Sequence, residues 1–495
     1  MKKILQYLSV VVALVFVCEY SNASHIAGAD LTYKWISGND YEITLTLYRD
    51  CYGISIANPE TIHFKSSSTG TDFTSNIFLT TGTGQEITPT SQQTTCSGGL
   101  FYGIQQYIYT TTVTLQNASD WVIYWCSCCR NAAITTVSSP DMDGTFIMAT
   151  LDNSVAGTQG GNPNSSPTFS NIPITIFCDN QQVTYNHGAI ETDGDSLAYE
   201  FISPYDEGPA AYSSNCSGGG GNNVIYSLPW SYSQPLTSVP AITINSITGD
   251  IDMNPTQDLI TIMAVLVKEY RNGILIGSVM RDLQMNIINC TNSIPRLSGI
   301  DSTSNYITTT APGIPIDFDI FSYDPNGSNL LTMNWNNGIP GASFSIVSKG
   351  SQPTGHFSWT PTATDVRNFP HCFTVKISDD ATPYFGIEIH SYCLYVSTIV
   401  GQQDISTEKV FDFKLIPNPF TENTTIQYSL SQTSQLTIEL LDNIGRLVNT
   451  LVDETQLAST YTTYIDSKKL GLNKGIYFIR LKLNGETVVK KLIAL

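Results

Sequence analysis

Apolar and polar residues alternate in short runs along most of this chain, and long stretches of helical periodicity are nearly absent. Ile43, Leu45 and Leu47 alternate with Glu42, Thr44 and Thr46, and Leu283, Met285 and Ile287 alternate with Gln284 and Asn286. A period of two puts successive side chains on opposite faces, which is the pattern of a half-buried strand. Thr, Tyr, Val and Ile dominate the runs, and Gly, Asn, Asp and Pro separate them. The first group packs well on a pleated surface and the second makes turns. Short strands with frequent turn signals stack as antiparallel layers and not as a parallel sheet crossed by helices.

An internal repeat organises the middle of the chain. Thr248-Gly249-Asp250-Ile251-Asp252-Met253-Asn254-Pro255 returns as Thr354-Gly355-His356-Phe357-Ser358-Trp359-Thr360-Pro361. Upstream, Asp193-Gly194-Asp195-Ser196-Leu197 resembles Asp324-Pro325-Asn326-Gly327-Ser328-Asn329-Leu330. Each copy ends in a hairpin. The first turns at Arg271-Asn272-Gly273, where Asn-Gly favours a tight turn, and the second near Asp380-Ala381-Thr382-Pro383. The expected fold class is all-β, with tandem Ig-like or cadherin-like β-sandwiches between an N-terminal β domain and a small C-terminal β-sandwich. The expected boundaries are a separate N-terminal domain at 24–173, sandwiches at 174–292 and 293–398, a polar linker at 399–410 and the terminal module at 411–495. The first sandwich carries an insertion containing Gly218 to Gly221.

Residues 1–23 have the layout of a secretory signal. Lys2 and Lys3 precede the apolar stretch Val10 to Val17, and Ser21-Asn22-Ala23 forms a small-residue cleavage site. That stretch is too short to span a bilayer, which takes about 20 residues, so no transmembrane segment is expected in the mature chain. Export permits disulfides. Cys372 and Cys393 flank the second hairpin symmetrically, which sets them opposite each other within bonding reach. Cys178 opens the first repeat and Cys290 closes it, and first and last strands often neighbour in sandwiches, so these form a second expected bridge. Cys51, Cys96, Cys126, Cys128, Cys129 and Cys216 cannot be paired from sequence. Residues 24–404 carry 11 Lys+Arg against 32 Asp+Glu, whereas residues 411–495 carry 9 against 8. An acidic body repels phosphates, so no nucleic-acid partner is expected.

The last residues carry a family resemblance. Leu415-Ile416-Pro417-Asn418-Pro419-Phe420 opens the module. Ile438 to Val448 follows, with Asp442, Gly445 and Arg446 in a D-x-x-G-R turn. Gly475-Ile476-Tyr477-Phe478 and Val489-Lys490-Lys491-Leu492 close it. This string resembles the type A C-terminal sorting domain of bacterial type IX secretion. The resemblance implies a small β-sandwich recognised by the outer-membrane translocon and removed on export. It also implies a body held on surface lipopolysaccharide or released. A free last strand suits such a role, because an open edge is a template for strand addition. Ser24-His25-Ile26-Ala27-Gly28, Tyr48-Arg49-Asp50-Cys51-Tyr52, Trp125 to Asn131 and Val267 to Gly273 resemble gliding-associated, PKD-like surface proteins over 24–290. The second repeat resembles cadherin-like or PKD-like modules more loosely. Members of the gliding-associated family carry cysteines where this chain has Ile202 and Leu266, which implies one bridge replaced by apolar packing.

Calcium is the best ligand hypothesis, with ion-free turn chemistry the favoured reading of each loop. Asp193, Asp195, Asp324 and Asn326 place hard oxygen donors on Gly-bent loops, as calcium requires. Asp141-Met142-Asp143-Gly144 is a third such loop. None shows a later bidentate Glu, and the same residue types make turns without an ion. Catalysis has little support. Neither an H-E-x-x-H nor a G-x-S-x-G motif occurs, and His371 beside Cys372 points to the opposite face of a strand. Tyr102, Tyr107, Tyr109 and Tyr124 could stack on sugars, with cross-strand packing the favoured reading. The expected function is that of a non-enzymatic exported surface protein, in adhesion or a gliding-associated layer. The alternatives are a secreted carbohydrate-binding protein and a hydrolase with its site in the N-terminal domain.

Overall fold

The computed structural model describes residues 26–53, 55–154, 163–173, 176–206, 222–327, 329–348, 351–398, 413–430, 434–442, 446–457, 459–483 and 486–494. The secretory signal, the linker, the Gly218–Gly221 insertion, Cys18, Cys216 and Gly445 lie outside these residues. The described residues contain strands and short 3-10 turns but no α-helix. The chain divides into two compact units, Met1–Thr398 and Ile399–Leu495.

In the first unit the strand Ile26–Ser37 pairs along its length with Asp40–Asp50, which pairs in turn with Ile104–Thr114. The path continues through Thr71–Leu79, Glu60–Ser66, Trp121–Ser127 and Thr145–Leu151. It closes on the strand Ile274–Ile288, which pairs with Thr145–Leu151 at Gly277 to Val279 and with Ile26–Ser37 at Arg281 to Leu283. The expected boundary at 173/174 is therefore corrected. The N-terminal strands do not make a separate domain, because their ring of hydrogen bonds is completed by a strand of the first repeat. Alternation explains the attachment. Ile276 to Ile287 is buried or nearly so on both faces, as a strand shared between two layers must be. Gly28 permits the close approach at the junction, since a Cβ there would stand 2.7 Å from the Asp282 carbonyl oxygen.

The first repeat adds Ser196–Ile202 and Leu259–Arg271 to the same sheet. Its hairpin turns at Asn272 and Gly273, with φ of 53° and 80°, the left-handed pair that a tight two-residue turn requires. Ile202 pairs with Ala264 and Leu266 with Glu200, so the two apolar residues are diagonal neighbours packed on the main core.

The second repeat is a sandwich of two four-stranded sheets. One holds Ile316–Tyr323, Thr354–Trp359 and Ser343–Ser348; the other holds Ile387–Val396, His371–Ser378 and Thr332–Trp335. The repeated octapeptides do the same work in both copies. Ile251 and Met253 point into the first core, and Phe357 and Trp359 into the second. Cys372 stands opposite Cys393 and is bonded to it, and Cys178 is bonded to Cys290. Cys51 bonds to Cys96, and Cys128 to its neighbour Cys129.

The second unit is a small sandwich. Phe413–Ile416, Asn423–Leu430 and Ser459–Asp466 form one sheet. Leu447–Gln456, Ser434–Leu441, Gly475–Leu483 and Glu486–Ala494 form the other. Phe413, Ile426, Ile438, Leu440, Ile479, Leu481 and Leu492 fill the space between them.

Candidate functional site

Two regions were expected to carry function, the terminal module and the acidic loops. In the module, Pro417, Asn418 and Pro419 are exposed and Phe420 is buried. Asn418 donates from Nδ2 to the Lys491 carbonyl at 2.7 Å and accepts the Ile493 N–H at 2.9 Å. The Phe420 N–H donates to the Ile493 carbonyl at 2.9 Å. The opening segment thus covers the C-terminal end of the last strand, and Leu492 and Ala494 are buried beneath it. The expectation of a fully free last strand is corrected, because its end is capped through Asn418 and Phe420. Among the described residues, no strand pairs with the rest of its outer edge.

Asp442 clasps the D-x-x-G-R turn. Its carboxylate accepts the Arg446 N–H at 2.9 Å and Nε at 2.8 Å. The Tyr477 hydroxyl donates to the Asn473 carbonyl at 3.0 Å, fixing the entry to the strand that Gly475 begins. Lys490 lies 4.8 Å from the centre of the Phe413 ring and donates to the Phe413 carbonyl, while Lys491 is exposed. The module therefore presents an exposed Pro-Asn-Pro knuckle and a basic residue beside a half-covered strand edge.

The acidic loops of the body are engaged internally. Asp195 is buried, and its two oxygens accept Arg271 Nε at 2.8 Å and Nη2 at 2.6 Å. Asp193 accepts the Ser165 N–H at 2.5 Å. Glu191, two residues earlier, gathers the N–H groups of Asp193, Gly194 and Asp195. In the second repeat, Asp324 Oδ1 accepts the Asn326 N–H at 2.6 Å and Asn326 Oδ1 accepts the Ser293 N–H at 2.7 Å. Asp324 Oδ2 is buried without a hydrogen-bond partner. Beside that loop lies a polar cavity of about 240 Å³ lined by Thr291, Asn292, Asn326, Asn329, Ala381 and Thr382. In the third loop, burial and then the neighbouring Asp206 raise Asp143 to about 6.

Among the described residues, one group of carboxylates comes together closely, Glu191, Asp195 and Glu269. Sequence reasoning named only Asp195 of the three. Glu191, just ahead of the Asp-Gly-Asp loop, was the one local cue, whereas Glu269 lies between Lys268 and Tyr270 in a distant strand and joins it only through the fold. Burial raises Glu269 well above the usual carboxylate range and lifts Glu191 to about 7.

The catalytic and sugar-stacking candidates are structural. Cys372 is committed to its disulfide, and His371 Nε2 meets the Asp365 carbonyl at 2.8 Å. Tyr109 and Tyr124 are buried, and Tyr102 and Tyr107 are partly buried and pack against the cores.

Residues 414–494 match the family model of the secretion system C-terminal sorting domain. The tail is thus a sorting domain of the type IX kind, engaging that secretion machinery, and the chain is exported to the cell surface or secreted. None of the helices is long and apolar enough to cross a membrane among the described residues. A search of curated proteins finds no match. Among solved structures, dimeric latent PorU from Porphyromonas gingivalis is 14% identical with a TM-score of 0.16, over 65% of this chain and 32% of PorU. A fragment of three immunoglobulin domains of titin is 11% identical with a TM-score of 0.16, over 67% and 98% of the two chains. A DUF4785 family protein from Legionella pneumophila is 9% identical with a TM-score of 0.22, over 65% and 83%. At these values the likenesses carry no argument about function, and the all-β architecture rests on the sheets themselves.

Proposed function

We propose that residues 24–398 are a non-enzymatic surface module, displayed outside the cell in adhesion or in a gliding-associated layer. The sorting domain at 414–494 carries this reading, since a chain bearing it is addressed outward. Surface lipopolysaccharide or glycans are the partners this placement offers. The body fits the role of spacer and contact surface, because Asp30, Asp195, Asp282 and His371 are engaged in internal bonds. The gliding-associated and PKD-like resemblance of residues 24–290 supports the same reading.

Intact mass and terminal peptides of the native protein, taken from outer-membrane and medium fractions, test it. A mature chain starting near Ser24 and ending before residue 414 is expected, with loss of cell attachment when the tail is deleted. Deletion that leaves the body on the surface would overturn the reading. So would turnover of a polymer that vanishes on mutating one acidic residue, since that would make the body an enzyme.

A further inference from the structure

Two further acids lie close to Glu269. It sits near the end of Leu259–Arg271, is 0% exposed, and shares a space with Glu191 and Asp195 in which carboxylate oxygens lie within 4.8 Å of one another. Arg271 supplies one positive charge, held on both oxygens of Asp195. Glu191 is held by three backbone N–H groups of its own loop, which fix its orientation without neutralising it. Glu269 Oε2 accepts Asn164 Nδ2 at 2.5 Å, and Asn164 in turn donates to the Tyr33 hydroxyl at 3.2 Å. Glu269 Oε1 is buried and has no hydrogen-bond partner.

A buried carboxylate oxygen with no donor is costly, because it has given up its hydration and gained no hydrogen bond in return. In their ionised forms the three carboxylates carry three negative charges, which the Arg271 guanidinium on Asp195 and the more distant Arg367 near Glu191 offset only in part, and a divalent cation takes the place of the protons that burial favours. All the ligand atoms are oxygens, the donor set that a hard cation of the calcium type takes. The geometry points to a divalent-cation site of the calcium class formed by Glu191, Asp195 and Glu269, with Glu269 Oε1 as the ligand atom that the protein leaves for it. The ligand set differs from the one expected from sequence. Asp193 turns to Ser165, and two glutamates replace it. Glu269 belongs to the hairpin that closes the ring, and its support, Asn164, touches Tyr33 of the first strand. An ion here ties the N-terminal strands to the first repeat.

The test uses the purified full chain, stripped with a chelator. Added calcium is expected to raise the melting temperature saturably, and terbium is expected to give tyrosine-sensitised emission that calcium displaces. Glu269→Gln keeps the shape and removes the charge. It is expected to weaken calcium binding roughly tenfold or more while leaving the metal-free protein at least as stable as the parent. Asp324→Asn, in the second repeat, is expected to leave the response intact. No response in the parent overturns the site. A response that persists in Glu269→Gln and vanishes in Asp324→Asn overturns it too, placing the ion at the other loop. A parent that ignores calcium but is stabilised by acid, with Glu269→Gln abolishing that gain, makes the occupant a shared proton and equally overturns the cation.

Discussion

Single charged residues inside the large sheet decide how it is held. Arg281 is 1% exposed and lies in register opposite Asp30, with Nε 3.2 Å from the Asp30 carboxylate. Its Nη2 donates to the Tyr48 hydroxyl at 2.7 Å, and that hydroxyl donates to Asp30 at 3.0 Å. The guanidinium also stacks 4.5 Å from the centre of the Phe169 ring. Removing one member of a buried pair strands the other charge, at about 3–5 kcal/mol. Arg281→Met is therefore expected to lower stability in urea by that amount, and Asp30→Asn in the same chain is expected to recover part of it. A single variant as stable as the parent would show that Asp30 needs no partner. Nothing in the sequence announces this pair. Asp282 beside it meets Arg130 at 2.6 Å, and in both cases the partner lies in a distant part of the chain.

At the scale of strands and turns, local chemistry was readable and distant pairing was not. Asn272-Gly273 gave away its hairpin because only a few residue types accept positive φ at both turn positions. The Cys372–Cys393 bridge followed from symmetry about a turn. The capped end of the last strand had no such local cue, since Asn418 meets Ile493 only once the small sandwich has formed. Asn418→Ala removes two hydrogen bonds there, each worth about 1 kcal/mol. In the full chain, amide exchange at Ile493 is expected to quicken, with the central strand Ser434–Leu441 unaffected. Unchanged exchange at Ile493 would mean that Phe420 alone seals the edge. The carboxylate group at Glu269 was hidden for the same reason as the edge, because Glu191 and Glu269 become neighbours only through the fold.

For the whole molecule, the repeat was legible as two related modules, but the ring that joins the first of them to the N-terminal strands was not. Its closing contacts pair Gly28 with Leu283 and Asp30 with Arg281, and alternation alone does not tell a strand which neighbour it has. A fragment of residues 24–173 is therefore expected to stay unfolded or aggregate through its open edges, whereas 24–398 is expected to melt cooperatively. A cooperative transition in the shorter fragment, seen by circular dichroism and size exclusion, would restore the boundary at 173/174.

The position of the closing strand also sets an order of events. A ribosome makes the first staves of the ring early, their last partner long afterwards, and the sorting domain later still. A chain cut short before Ile274 has neither the strand that closes the ring nor the sorting domain. Copies cut before that point thus lack the outward address through the same accident that spoils the fold, and inspection needs no separate inspector.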